Sequence, residues 1–248
     1  MSSTNILLVA LVLFSTSDGV AQKRRVPPGG HLAVVIDERL AALRSAPDLS
    51  AKLLSRLSRG RLVAIRGATR SRDGVTFLRI AITRRTSGWV QAEAVIAPWR
   101  AKDDDRSLRL ISSSEDFDRV ARARLFLDAF PRSPLRPRVL LLFGEAAQQA
   151  AEKLSHEAGR RLDENGMTAG GAPEFSYFLN YNGLDRYNRQ RITFTFDQAT
   201  KSFHYDGAAW RELLRRYPQS PEAAEARKRL SIGTQIPSPL VHVVIHRR

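Results

Sequence analysis

Chemistry on a protein needs nucleophiles, acids, bases or metal ligands at workable spacing, and this 248-residue chain offers few. It has no cysteine, which excludes thiol nucleophiles, disulfides, thiolate metal sites and a lipoprotein anchor. No Gly-x-Ser-x-Gly nucleophile turn occurs. His242 and His246 fall on one face of a predicted strand, a spacing that suits zinc. Neither a His-Glu-x-x-His signature nor a supporting carboxylate accompanies them. Asp103, Asp104 and Asp105 are adjacent carboxylates, but the alternating ligands and central glycine of a calcium loop are missing, so the stretch reads as a solvated linker. His31, His156 and His204 have no partner that spacing can place, and Asp163, Glu164 and Asp185 form no acid–base pair. The expectation is a protein that is not an enzyme, with no metal site and no cofactor.

What remains is binding chemistry, and the candidate contacts are Arg44, Phe77 and Trp89. Trp89 has two readings, an aromatic that closes a small barrel or the stacking wall of a groove. Arg44 is either a solvated strand end or a ligand contact. All three belong to Leu40–Ile96, where short apolar runs alternate with polar and glycine turns. Arg61 to Arg66, Val75 to Ile82 and Trp89 to Glu93 show the period-two pattern of half-buried strands. Asp73-Gly74 and Ser87-Gly88 supply the turns between them. Five or six short strands in about sixty-five residues are expected to curl into a closed or nearly closed sheet, which removes exposed edges.

Three motifs in order carry a resemblance over residues 31–98. They are Leu43-Arg44-Ser45-Ala46-Pro47, the Arg59-Gly60 turn and the closing Gly88-Trp89-Val90. This stretch resembles the bacterial SH3-like family. Ala46 stands where that family usually has glycine, and Arg84-Arg85 is a charged insertion before the last strand. The resemblance implies a small β-barrel that engages cell-wall peptide or an envelope protein.

The N-terminus begins with the apolar run Ile6 to Phe14, far shorter than the ~20 residues a membrane span needs. Gly19-Val20-Ala21 then presents small residues for cleavage, so residues 1–21 read as a secretory signal peptide, although Met1 to Asn5 carries no lysine or arginine. Residues 22–30 form a basic, proline- and glycine-rich linker, and the barrel ends at Ala97-Pro98. The expected location is periplasmic or secreted, with no transmembrane span after signal cleavage.

Beyond a charged linker at 99–111 the pattern turns helical. Ser112 with Glu115 fits a capping box, and Phe117, Val120, Ala123, Phe126, Leu127 and Phe130 form an apolar stripe. Pro131 stops that helix, and Ser133-Pro134 starts a second, running from about 135 to 162. The phrase Phe126-Leu127-x-x-Phe130-Pro131-x-Ser133-Pro134 returns 87 residues later as Leu213-Leu214-x-x-Tyr217-Pro218-x-Ser220-Pro221. Each copy is one helical hairpin, which resembles the tetratricopeptide-like repeats of exported envelope proteins. Repeats in an array lie about 34 residues apart, so an insert separates these two, and they must pack on each other, on the insert or on a partner. That insert, 163–205, contains an aromatic-rich β-hairpin whose face is expected to cap the helices. The helical domain spans 112–231, and a tail at 232–248 ends in a candidate strand.

The fold expectation is therefore an α+β multidomain chain: a small SH3-like β-barrel, then a helical-hairpin (TPR-like) domain with an inserted β-hairpin. Net charge is +15, with arginine far outnumbering lysine and the excess read as spread along the chain. Such a charge favours anionic partners. Nucleic acid is not the expected one, because exposed aromatics do not interleave with basic clusters. The expected role is a non-enzymatic cell-envelope binding or scaffold protein whose partner is an envelope protein or a peptidoglycan peptide. The alternatives are a basic surface binder of DNA, anionic lipid or polysaccharide, and a non-catalytic accessory to a cell-wall hydrolase. The oligomeric state is not encoded in any pattern found.

Overall fold

Seven strands between residues 31 and 96 pair antiparallel throughout: β1 (His31–Val35), β2 (Ala42–Arg44), β3 (Leu53–Arg56), β4 (Leu62–Arg70), β5 (Thr76–Ala81), β6 (Ser87–Gln91) and β7 (Val95–Ile96). They come from a computed structural model that describes residues 30–234. The expected signal peptide, all but the last residue of the 22–30 linker, and the tail beyond residue 234 with His242 and His246 lie outside the described residues.

Alternation explains the two faces of the sheet. In β5, Leu78 and Ile80 point into the sheet's own core with Leu43, Val63 and Val90, while Arg79 between them is exposed. Gly74 takes φ +78 in the tight β4–β5 turn, a value L side chains rarely adopt, and Ser71 N donates to Val75 O at 2.8 Å across it.

Strand order is β3-β2-β6-β5-β4-β1-β7. β3 and β7 are therefore opposite ends of an open sheet, and the expected closure into a barrel does not occur. The reason lies at β7. It has two residues, too few to offer β3 a ladder, and after a short turn at 97–102 the chain enters a helix that lies against that end.

That helix, α1 (Asp103–Ser112), occupies most of what the sequence suggested was a linker. Three aspartates in its first turn suit the positive end of a helix dipole. Asp103 is buried, not solvated. Its Oδ2 accepts from Ala97 N at 2.9 Å, and it pairs with Arg100 at 3.5 Å and Arg106 at 3.2 Å. Arg106 donates in turn to the carbonyls of Glu93 and Val95, tying the helix to the end of the sheet.

Two long helices follow, α2 (Asp116–Ala129) and α3 (Arg136–Arg161). The capping box expected at Ser112 does not form, because Ser112 closes α1 and no side chain caps α2. Ser133 does assist the start of α3, accepting from Leu135 N at 3.2 Å. The insert folds as the short helices α4 (Glu164–Gly170), α5 (Glu174–Leu179) and α6 (Asp185–Asn188) and the hairpin β8 (Phe194–Asp197)–β9 (Ser202–Tyr205). Its aromatic face lies on the helices as expected: Phe178 stacks on Phe196 with centroids 4.8 Å apart, and Phe203 N donates to Ser155 Oγ of α3 at 2.7 Å.

The second helical hairpin is α7 (Ala208–Arg216) and α8 (Glu222–Thr234). Asp206 Oδ1 accepts from Ala208 N at 3.0 Å at the start of α7. Trp210 then lies so close to Gly144 of α3 that a side chain at 144 would strike its ring. The two hairpins thus pack together through α3. Val34, Ile36 and Ile96 of the sheet enter the same core as the helices, so the boundary near residue 98 is a change of architecture within continuous packing. No helix among the described residues is long and apolar enough to cross a membrane.

Candidate ligand-binding face

Directly paired residues on adjacent strands project from the same face of a sheet, and the register of three strands puts a cation, an indole and a cation side by side. Arg44 of β2 pairs with Trp89 of β6, and Trp89 pairs with Arg79 of β5. At the edge, Leu53 of β3 pairs with Arg44. Arg56 and Ala42 form a pair two residues along β2, on the same face as Arg44. Arg79 and Arg56 are exposed, whereas Arg44 and Trp89 are half-buried.

Gly88 makes the pairing of Arg44 with Trp89 possible. A Cβ there would lie 2.7 Å from Arg44 O and 2.9 Å from Leu43 Cγ. The Arg44 guanidinium is held by its own hairpin, donating to Ala51 O at 2.8 Å. Its position is set before any ligand arrives.

Two of the three residues singled out in the sequence are therefore neighbours, and the third is not available. Phe77 is fully buried, so its ring is core material and touches no ligand in this conformation. It sits at the end of a strand whose exposed member is Arg79, two residues on. Arg79 was legible in principle, as the one charge inside an otherwise apolar strand, but its placement beside Trp89 needs the register.

The charge is not spread evenly. Residues 30–98 carry 12 arginine and lysine side chains against 5 acidic ones, and residues 99–234 carry 23 against 19. The helical part nearly balances its cations with acids in number and pairs several of them directly, as in Arg124–Asp128, Arg216–Glu212 and Arg229–Glu225. On the sheet, Lys52, Arg56, Arg79, Arg84 and Arg85 have no carboxylate partner among the described residues. The one acid of the β2–β3 hairpin, Asp48, is engaged with Ser50, whose hydroxyl and backbone N–H both donate to it at 2.7 Å. Those bonds hold its carboxyl below the usual carboxylate range.

Two other acids of this region, Asp37 and Glu38, serve the junction with α2. Asp37, 3% exposed at its side chain, accepts from Arg39 through both oxygens and lies 3.8 Å from the buried Arg122. Arg59, in the turn matched to the SH3-like pattern, reaches Asp118 of α2 at 2.9 Å and Glu38 at 3.6 Å. The Arg39 bond holds the Asp37 carboxyl low, and the Arg59 bond does the same for Asp118. Burial lowers Arg122, yet a guanidinium stays charged at any ordinary pH.

Two clefts flank the helical insert. One of about 630 Å³ is lined by residues that include Arg161, Tyr177, Asn180 and Tyr181. Another of about 410 Å³ holds Glu164, Glu174 and Lys201, whose lysine pairs with both glutamates. Thr168 also lines the second cleft, whose charged groups are already engaged with one another. Among the described residues no three metal-ligating side chains converge. No protein-family model, curated protein or solved structure matches the chain.

Proposed function

We propose that this chain is a non-enzymatic binding or scaffold protein of the cell envelope, exported through its N-terminal apolar segment. In this reading the sheet is an SH3-like module that holds a carboxylate-bearing ligand, either a wall peptide or an acidic segment of an envelope protein. The TPR-like helical hairpins dock a second partner. The observation that carries it is the row Arg44–Trp89–Arg79, ordered by strand register, with Asp48 acting on Arg44 from a distance and no carboxylate in ion-pair contact with Arg44 or Arg79 among the described residues. An indole between guanidiniums offers an apolar plane with cations at both sides, which suits an extended peptide bearing spaced carboxylates.

The test is retention of the mature chain on purified peptidoglycan and on an immobilised acidic peptide. Retention on one of them at low salt, weakened about tenfold or more by the double substitution Arg79→Gln and Trp89→Ala, is the expected result. Retention on neither, or retention unchanged by the double substitution, ends the reading.

The concentration of unpaired cations on the sheet favours a second reading, a sequence-indifferent polyanion binder. It requires affinity for DNA or an acidic polysaccharide to fall steeply with salt and to exceed affinity for the acidic peptide.

A further inference from the structure

We infer that the free edge of β3 is a strand-addition site, at which an extended carboxylate-bearing peptide pairs backbone to backbone with Leu53–Arg56; this rests on the peptide-binding reading above. The two ends of the sheet differ. At β7, α1 closes the edge: Arg106 donates to the carbonyls of Glu93 and Val95, and Asp103 takes the N–H of Ala97. At β3 nothing follows in the strand order among the described residues, and all four residues are exposed.

Register says which groups are free. Leu57 N donates to Ala41 O at 2.9 Å and Ser45 N to Lys52 O at 3.0 Å, with Leu43 opposite Ser55 between them. Alternate residues of an antiparallel strand turn their N–H and C=O to opposite sides. Ser55 and Leu57 face β2, so Arg56 directs its groups outward, while a bulge opposite the Leu43–Arg44 step shifts the register at Leu54. Proteins ordinarily protect such an edge with charge, proline, a bulge or a short length, and β3 is short and bulged with Lys52 and Arg56 at its ends, but its middle is apolar. Here Leu53 and Leu54 stand consecutively at 45% and 47% exposure, and Leu49 of the same hairpin is 46% exposed. An added strand would also lengthen the side-chain row, since Leu53 pairs with Arg44, Arg44 with Trp89 and Trp89 with Arg79.

Charge selects the occupant. Lys52 and Arg56 flank the leucines and have no carboxylate partner among the described residues. A carboxylate on an incoming strand would lie beside Arg56, on the strand that it joins. A second copy of β3 fits badly, because antiparallel pairing centred on Leu54 sets Lys52 of each chain against Arg56 of the other, and like charges directly opposed destabilise a sheet.

The probe is a fluorescein-labelled peptide of four Val-Glu repeats, titrated against the full mature chain by anisotropy. Its counterpart carries N-methyl groups on alternate residues, which keeps every charge and removes the hydrogen bonds of one side. Strand addition predicts that N-methylation weakens binding about tenfold or more, while Arg56→Gln weakens binding of the unmodified peptide. Equal binding of the two peptides, still dependent on Arg79, overturns the edge site and leaves the cationic face standing. A large N-methyl effect with no dependence on Arg79 or Trp89 does the reverse. A concentration-dependent dimer that Leu54→Lys abolishes would assign the edge to a second copy and overturn the proposal. Binding of neither peptide removes both.

Discussion

Replacing Asp37 by alanine should loosen the junction between the sheet and α2 more than any surface change on either side. Asp37 is 3% exposed at its side chain and Arg122 is 6% exposed, with 3.8 Å between Oδ1 and the guanidinium. At an effective dielectric of roughly 20, that separation corresponds to about 4 kcal/mol of attraction. The bond to Arg39 adds little, because Arg39 is 72% exposed and screened by water. Removing Asp37 leaves Arg122 with Asp118 at 4.0 Å and a Ser114 hydroxyl, while the Arg59 cation stands close enough to repel it. The expected loss is about 3–5 kcal/mol, the usual cost of stranding a buried charge. Urea unfolding of wild type and Asp37→Ala, followed by circular dichroism, measures it. The double variant Asp37→Ala, Arg122→Met should recover much of the loss, since no uncompensated charge remains. A loss below about 1 kcal/mol for Asp37→Ala, or no recovery in the double variant, would refute the argument. Asp37 also has a pH signature, set first by its hydrogen bond to Arg39 and in smaller part by Arg122. The folded carboxyl of Asp37 is held below its unfolded value of about 3.9, so its contribution is complete above that value and is lost as pH falls through the lower folded value. Asp118 acts in the same direction, reduced by its 52% exposure. In Asp37→Ala the acid branch of the stability profile should flatten below about pH 4.

Two further substitutions separate core from face. Phe77→Ala should cost about 3–5 kcal/mol of stability because the ring has no solvent contact, whereas Trp89→Ala should cost less and act mainly on peptide affinity; equal stability losses in urea titrations would contradict the division. Gly88→Val drives a side chain into Arg44 O and Leu43, so it should shift β6 away from β2, lower the thermal midpoint and weaken peptide binding together; normal binding in that variant would show that the Arg44–Trp89 pairing is not what the ligand reads.

Much of the local structure was legible in residue order. Alternation marked the strands around Leu78 and Val90. Asp73-Gly74 marked its turn, and the repeated aromatic–proline–serine phrase marked both helical hairpins. These signals are short-range, set by φ preferences and by which side chains share a face, so a linear reading captures them. The insert's aromatic hairpin was legible for the same reason.

Other features depended on long-range choices. Asp103–Asp105 has the composition of a linker. Only the Ala97 amide and the side chains of Arg100 and Arg106, brought around it by the fold, turn it into a buried helix start. Phe77 and Trp89 are both strand aromatics, and their opposite fates follow from what the tertiary fold lays over each. The alternation was compatible with a closed or an open sheet. A two-residue β7 and the helix on its edge decided for the open one, which leaves β3 exposed. Residue order determined the elements and the number of charges. Only the tertiary structure decided which charges were neutralised across the junction and which were left side by side on the sheet, because pairing depends on distances between residues far apart in the chain.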